Sequence, residues 1–211
     1  MAMTAKVIAV IAPLAEQHWG MFTTAQAASV GVERMQLSRL ASAGAIERMA
    51  KGIYRMAGAP SDSRDDLRVA WLALGGLDRT ADGVSAAVAM EETAAELHEI
   101  GDLYTGGFRF AVPERRRTRL PETLTKVRKL TREQVTFIDG MPVTSVEQTI
   151  ADLVAKNTDL SLVGDVVADA VHAGKVVSLT RLDRYLESLA TRNGVRTGQQ
   201  LRESLYEIAG V

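Results

Sequence analysis

Residues 22 to 40, FTTAQAASVGVERMQLSRL, constrain the fold more than any other stretch of the 211-residue chain. Thr23 is a good cap for a short helix, because its hydroxyl can accept from a free N–H of the first turn. Ala27 and Ala28 on that helix are small enough to let a second helix cross closely. Gly31 then supplies a tight turn between Val30 and Val32, both expected as buried plugs, and a second helix is expected over 33 to 43. This is helix-turn-helix spacing. At about 100° per residue, Leu37, Leu40 and Ala41 turn inward. The opposite arc holds Met35, Ser38, Arg39 and Ser42, with Gln36 on its edge and Arg34 near the N-terminus.

The outward residues carry the chemistry of groove reading. Arg39 can fork onto the two acceptors of guanine, Gln36 can pair with adenine, and Met35 can touch a thymine methyl. Arg34 is better suited to a phosphate. Thr24, at the start of the first helix, joins the candidate DNA-contacting set. A helix pair joined by glycine is also ordinary packing, so the following residues matter. After Gly44, segments 45 to 49 and 53 to 57 flank a turn at Ala50-Lys51-Gly52, and a β-hairpin there is a wing. Arg48, Lys51 and Arg55 sit where a wing meets phosphate or a minor groove. Tyr54 either packs or donates to the DNA backbone.

Ahead of this motif, residues 7 to 15 (VIAVIAPLA) are too short to span a bilayer and are interrupted by Pro13. Lys6 imitates a charged leader. Ile8, Ile11, Ala15 and Trp19 nevertheless recur at helical spacing, which favours an amphipathic core helix over a signal peptide and gives no membrane association. The chain has no cysteine, excluding disulfides, thiolate metal sites and cysteine nucleophiles and fitting a reducing cytoplasm. Net charge is −1, yet the signs are segregated. Residues 1 to 60 hold six Lys/Arg against three Asp/Glu, and 61 to 106 hold three against ten. Residues 107 to 136 hold nine against three, and 137 to 211 hold seven against ten. Two basic blocks, each able to meet a polyanion, are hidden in a near-neutral total.

The punctuation at Gly58-Ala59-Pro60-Ser61 divides the chain into residues 1–60, the winged helix-turn-helix, and 61–211. In the second part, helices are expected over 62 to 74, capped by Asp62 or Ser63, and over 85 to 99. A strand is expected over 104 to 113. Two more, 134 to 138 and 141 to 144, flank an Asp139-Gly140 turn. Helices follow over 146 to 155, 162 to 173, 179 to 190 and 198 to 208. The fold class is therefore α+β: an N-terminal winged helix-turn-helix followed by a helix-rich mixed α/β domain. In 140 to 153, Thr144 or Ser145 caps a helix with Glu147 or Gln148 returning the bond. Asp152 is left over as a surface charge.

Taken together, FTTAQA, the Gly31-Val32 turn, Arg39-Leu40 and GAIERMAKGIYRMAGAP resemble the AbiE-type (AbiEi) antitoxin family. FAVPERRRTRLPETL (110 to 124) and GMPVTSVEQTIADL (140 to 153) are similar to that family's C-terminal region, so the resemblance covers roughly residues 20 to 190. It implies one antitoxin of a bicistronic toxin–antitoxin unit. The winged helix would bind double-stranded operator DNA and repress its own operon, and residues 61–211 would oppose a nucleotidyltransferase-like toxin. DNA contact would fall on the helix over 33 to 43 and on the wing around Lys51.

Arg115, Arg116, Arg117 and Arg119 form the densest charge in the chain, bracketed by Pro113 and Pro121. They read equally as a solvated face that pairs internally with the acidic residues of 61 to 106, or as a polyanion contact or docking face for a partner. No catalytic constellation emerges. His18, His98 and His172 are widely separated, there is no metal-ligand spacing, and no phosphate loop, GxGxxG or GxSxG is present. No cofactor, metal or enzymatic activity is expected. The competing function is a free-standing regulator whose second domain binds a small effector; a nuclease or transferase domain is the third.

Overall fold

The structure, a computed structural model, describes residues 2–104, 106–116, 118 and 120–211. It divides into two compact units, Met1–Gly76 and Leu77–Val211.

The first unit contains α1 (Ala2–Glu16), β1 (Met21–Thr23), α2 (Thr24–Ser29), α3 (Arg34–Ser42), β2 (Ile46–Ala50), β3 (Ile53–Met56) and α4 (Asp65–Ala73). The capping signal works as the sequence suggests. Thr23 Oγ1 accepts the Gln26 N–H at 3.1 Å while Gln26 Oε1 accepts the Thr23 N–H at 2.8 Å, a closed capping box. α1 lays Val7, Ile11 and Ala15 into the same core as Phe22, Ala27, Val32, Leu37, Leu40 and Ile46. The buried stripe is thus 7-11-15, with Ile8 only partly covered and Trp19 beyond the helix in left-handed conformation, φ 56°. Val32 is buried as expected, but Val30 is 38% exposed. Val30 is the C-cap of the short helix and its residue lies on the solvent side of the turn.

The three strands order as β1-β3-β2, all antiparallel. The unit extends past the Gly58–Ser61 punctuation because α4 packs on β2 and β3. Its start is Asp65, with Arg64 as N-cap, later than the sequence suggests. Asp62 does not cap it: its carboxylate accepts the Arg64 N–H at 2.8 Å and the Arg68 guanidinium at 2.9 Å. Arg68 also lies 4.9 Å over the Trp19 ring, and Trp19 meets Trp71 edge-on at 5.8 Å.

The second unit contains β4 (Val88–Ala89), α5 (Glu91–His98), β5 (Phe108–Val112), β6 (Thr123–Val127), β7 (Val135–Ile138), β8 (Met141–Thr144), α6 (Val146–Ala155), α7 (Leu160–His172), α8 (Leu179–Leu186) and α9 (Gly198–Ala209). Its sheet orders as β6-β5-β4-β8-β7 and is mixed: β5–β6 and β4–β8 are parallel, the other two pairings antiparallel. The Asp139-Gly140 turn is confirmed with positive φ at both residues, 48° and 79°, which joins Ile138 to Met141 in a two-residue hairpin. The helix expected over 85 to 99 survives only from Glu91. Residues 85 to 90 are wholly buried, and a central strand buried on both faces loses the alternation that distinguishes it from a buried helix. α6 is buried along nearly its whole length and packs with α7, α8 and α9 around Ile150, Leu153, Val163 and Leu201.

Candidate nucleic-acid interface

Ser145 caps α6 and Thr23 caps α2, but the surface that matters for recognition is built by α3 and the hairpin behind it. Gly31 at φ 79° makes the turn that only glycine takes without strain, and α3 then runs from Arg34 with Glu33 as N-cap. Leu37 and Leu40 are buried and pin the helix to the core. Met35 is 62% exposed, and Arg34, Ser38, Arg39 and Ser42 are exposed with it. Arg39 Nη2 donates to Met35 Sδ at 3.4 Å, so the guanidinium lies along the outward row one turn from the thioether. Gln36 is half-buried, and its Oε1 accepts the Glu33 N–H at 2.8 Å. That bond uses one of the two lone pairs of Oε1, and the amide NH2 keeps both donors for a base edge.

The wing is β2 and β3 joined through Lys51 and Gly52, the glycine at φ 79°. Arg48 and Lys51 are exposed and, like Arg34 and Arg39, form no ion pair with any described residue. Thr24 is a tie rather than a free contact. Its N–H and its Oγ1 both donate to the Gly52 carbonyl, at 2.8 and 3.3 Å, holding the wing tip against the start of α2.

Arg55 departs from the sequence expectation. Its side chain is only 13% exposed and pairs with Glu47 at 2.6 Å and Asp65 at 2.7 Å. The hydrogen bond from Arg55 to Glu47 holds the guanidinium pKa above its ordinary value. Glu47 and Arg55 are register partners across the hairpin, so Arg55 is committed inside the unit. Tyr54 packs, stacking on Phe22 at 5.7 Å across the β1–β3 pair, the structural alternative of the two left open.

The second basic block lies in the other unit and is divided in its roles. Arg115 is exposed, and Arg116 reaches Asp78 at 3.6 Å; Arg117 and Arg119 lie outside the described residues. Nearby, Lys126 pairs with Glu91 at 3.4 Å and Arg109 with Glu92 at 2.8 Å, while Lys156 also holds Glu92. Part of the basic charge therefore neutralises acids of residues 61 to 106. Asp152 is a correction: it is 2% exposed, not a surface charge, and its carboxylate takes the Arg128 guanidinium and the Gln148 amide at 2.7 Å. Burial nevertheless pushes its pKa up against those favourable contacts. Sequence alone gave no sign of this, because the pairing partner is on the strand-end segment after β6. Among the described residues no group of three or more histidine or acidic side chains is placed to hold a metal, and no helix is long and apolar enough to cross a membrane.

Two consecutive helices that share one core, a glycine turn between them and an adjoining β-hairpin define a winged helix-turn-helix of the kind that transcriptional regulators carry. Two family models match the chain: "Transcriptional regulator, AbiEi antitoxin" over residues 10–57 and "AbiEi antitoxin C-terminal domain" over residues 86–204. The chain belongs to the AbiEi antitoxin family, a regulatory family with an antitoxin and DNA-binding role. Among solved structures, that of the RV2827C protein from Mycobacterium tuberculosis shares the fold, with a TM-score of 0.52 at 18% identity over 97% of this chain and 78% of that one. No curated protein matches.

Proposed function

We propose that this antitoxin represses its own operon by setting α3 in the major groove of operator DNA with the wing on the flanking backbone, and that its second unit counteracts a nucleotidyltransferase-type toxin encoded beside it in the same cytoplasm. The observation that carries the DNA half is the separation of cations in the first unit. Arg55 and Arg68 are consumed by internal carboxylates, whereas Arg34, Arg39, Arg48 and Lys51 are left to solvent on α3 and the wing. In this reading Arg39, Met35, Ser38 and Gln36 meet base edges, Arg34, Ser42, Arg48 and Lys51 meet phosphate, and Thr24 and Arg55 hold the wing in place. The second unit supports the toxin half only through its family; Arg115, Arg116, Arg117 and Arg119 are assigned to partner or polyanion contact.

Gel-shift titration of the full chain against the DNA upstream of its own gene tests the repressor half. Preference for that DNA over random duplex by about a thousandfold or more is expected, and equal affinity for both would sink it. Growth rescue on co-expression with the adjacent toxin tests the other half, independently of DNA binding.

A further inference from the structure

In the second unit, the sheet has one buried face that the helices do not account for. Val88 and Ala111 are register partners there, and with Val84, Met90 and Leu130 they form a small apolar cluster separate from the helical core. Over Val88 and Ala111 lies a cavity of about 470 Å3, within the size range of small-molecule sites.

Its walls are built. On one side residues 78–86 form a tight hairpin. Thr80 N–H donates to the Val84 carbonyl at 2.8 Å, Ala86 N–H to Asp78 at 2.9 Å, and Val84 N–H to Thr80 Oγ1 at 3.2 Å. On the other side Arg128 N–H donates to the Val112 carbonyl at 2.8 Å, and its guanidinium is fixed by buried Asp152. At the mouth the charges are unequal in state. Arg116 is held by Asp78 and Arg128 by Asp152, while Arg79 and Lys129 are exposed and form no ion pair with any described residue. Asp82 and Glu114 also line the mouth.

We propose that this cavity binds a small organic monoanion, its apolar body on the Val88–Ala111 floor and its carboxylate or sulfonate between Arg79 and Lys129. An apolar floor gives area to bury, and two unspent cations at the rim supply the few polar groups that fix orientation. Asp82 and Glu114 select against dianions and favour ligands of low net charge.

Two probes of one ring system separate these parts: anilinonaphthalene sulfonate, which is anionic, and N-phenylnaphthylamine, which is not. Fluorescence titration of the full chain is expected to show saturable binding of the sulfonate at one site per chain, at least tenfold tighter than the neutral amine. Raising salt from about 0.05 to about 0.5 M should weaken the sulfonate and leave the amine unchanged. The double variant Arg79→Glu/Lys129→Glu changes exposed residues only and should retain the melting transition. It should lose about tenfold or more in sulfonate affinity, with the amine within twofold of wild type. Absence of saturable sulfonate binding, equal affinity for the two probes in wild type, or an unchanged sulfonate affinity in a folded double variant overturns the proposal. Should the double variant fail to fold, the wild-type probe ratio and its salt dependence decide the matter alone.

Discussion

Arg55 has the composition of a DNA contact and the surroundings of a structural residue. Its guanidinium bridges Glu47 on β2 and Asp65 at the start of α4, so truncation leaves Glu47 without its partner and takes one of three partners from Asp65, which is only 9% exposed and keeps Ser61 and Arg68. Arg55→Ala should lower the melting temperature by several degrees while reducing DNA affinity less than Lys51→Ala does, as thermal melts and gel shifts on the same samples would show. His98 has the opposite character, a titratable group hidden from water. Its Nε2 donates to the Thr144 carbonyl at 2.8 Å, and burial holds its pKa below the ordinary 6.5. The folded ring stays neutral while the unfolded chain takes up a proton as pH drops below about 6.5, so the stability His98 contributes is present above that pH and lost beneath it. His98→Gln, which can still donate to Thr144, should flatten the decline in melting temperature between about pH 7 and 5. His18, also lowered by burial, keeps its own share in that variant. An unchanged slope would mean that His98 is not the group responsible.

Elements were legible where local chemistry decides them. Thr23 and the pair Thr144-Ser145, of which Ser145 proves the cap, announce their helices, Asp139-Gly140 announces its hairpin, and Leu37 and Leu40 mark the inner side of α3, because caps, φ > 0 turns and helical periodicity need only near neighbours. What tertiary contact decides was not legible. β4 hides in the apolar run 85–90, and β6 went unread because a short edge strand reveals itself only through its parallel register with β5. For the site, the outward row on α3 and the exposed wing cations followed from periodicity and turn chemistry. The commitment of Arg55 and the burial of Asp152 did not, since each depends on a carboxylate or cation brought from another element. Gly31→Ala tests the turn: forcing a side chain to φ 79° should cost about 1 kcal/mol, with nothing nearby for the added Cβ to strike. A larger loss measured by denaturant unfolding would show that the turn carries more than backbone conformation.

At the scale of the whole molecule, each of the two compact units carries one family model, the transcriptional-regulator model in the first and the antitoxin C-terminal-domain model in the second, and the proposed function divides between them. We expect a chain lacking residues 1–76 to lose operator binding yet still rescue growth from the adjacent toxin; loss of rescue by a folded truncation would contradict the division of labour. Leu37→Ala should act on the same side. Emptying this fully buried position removes roughly 2–5 kcal/mol from the first unit and with it DNA binding, while rescue persists. In the proposed complex α3 reads base edges and the wing grips phosphate. The affinities of wild type, Arg39→Ala and Lys51→Ala for operator and for random duplex over a salt series decide between this and other modes of binding. Arg39→Ala should shrink the operator-to-random ratio by about 1–3 kcal/mol, whereas Lys51→Ala should weaken both duplexes alike and reduce the salt slope by about one. A ratio left intact by Arg39→Ala would contradict the reading.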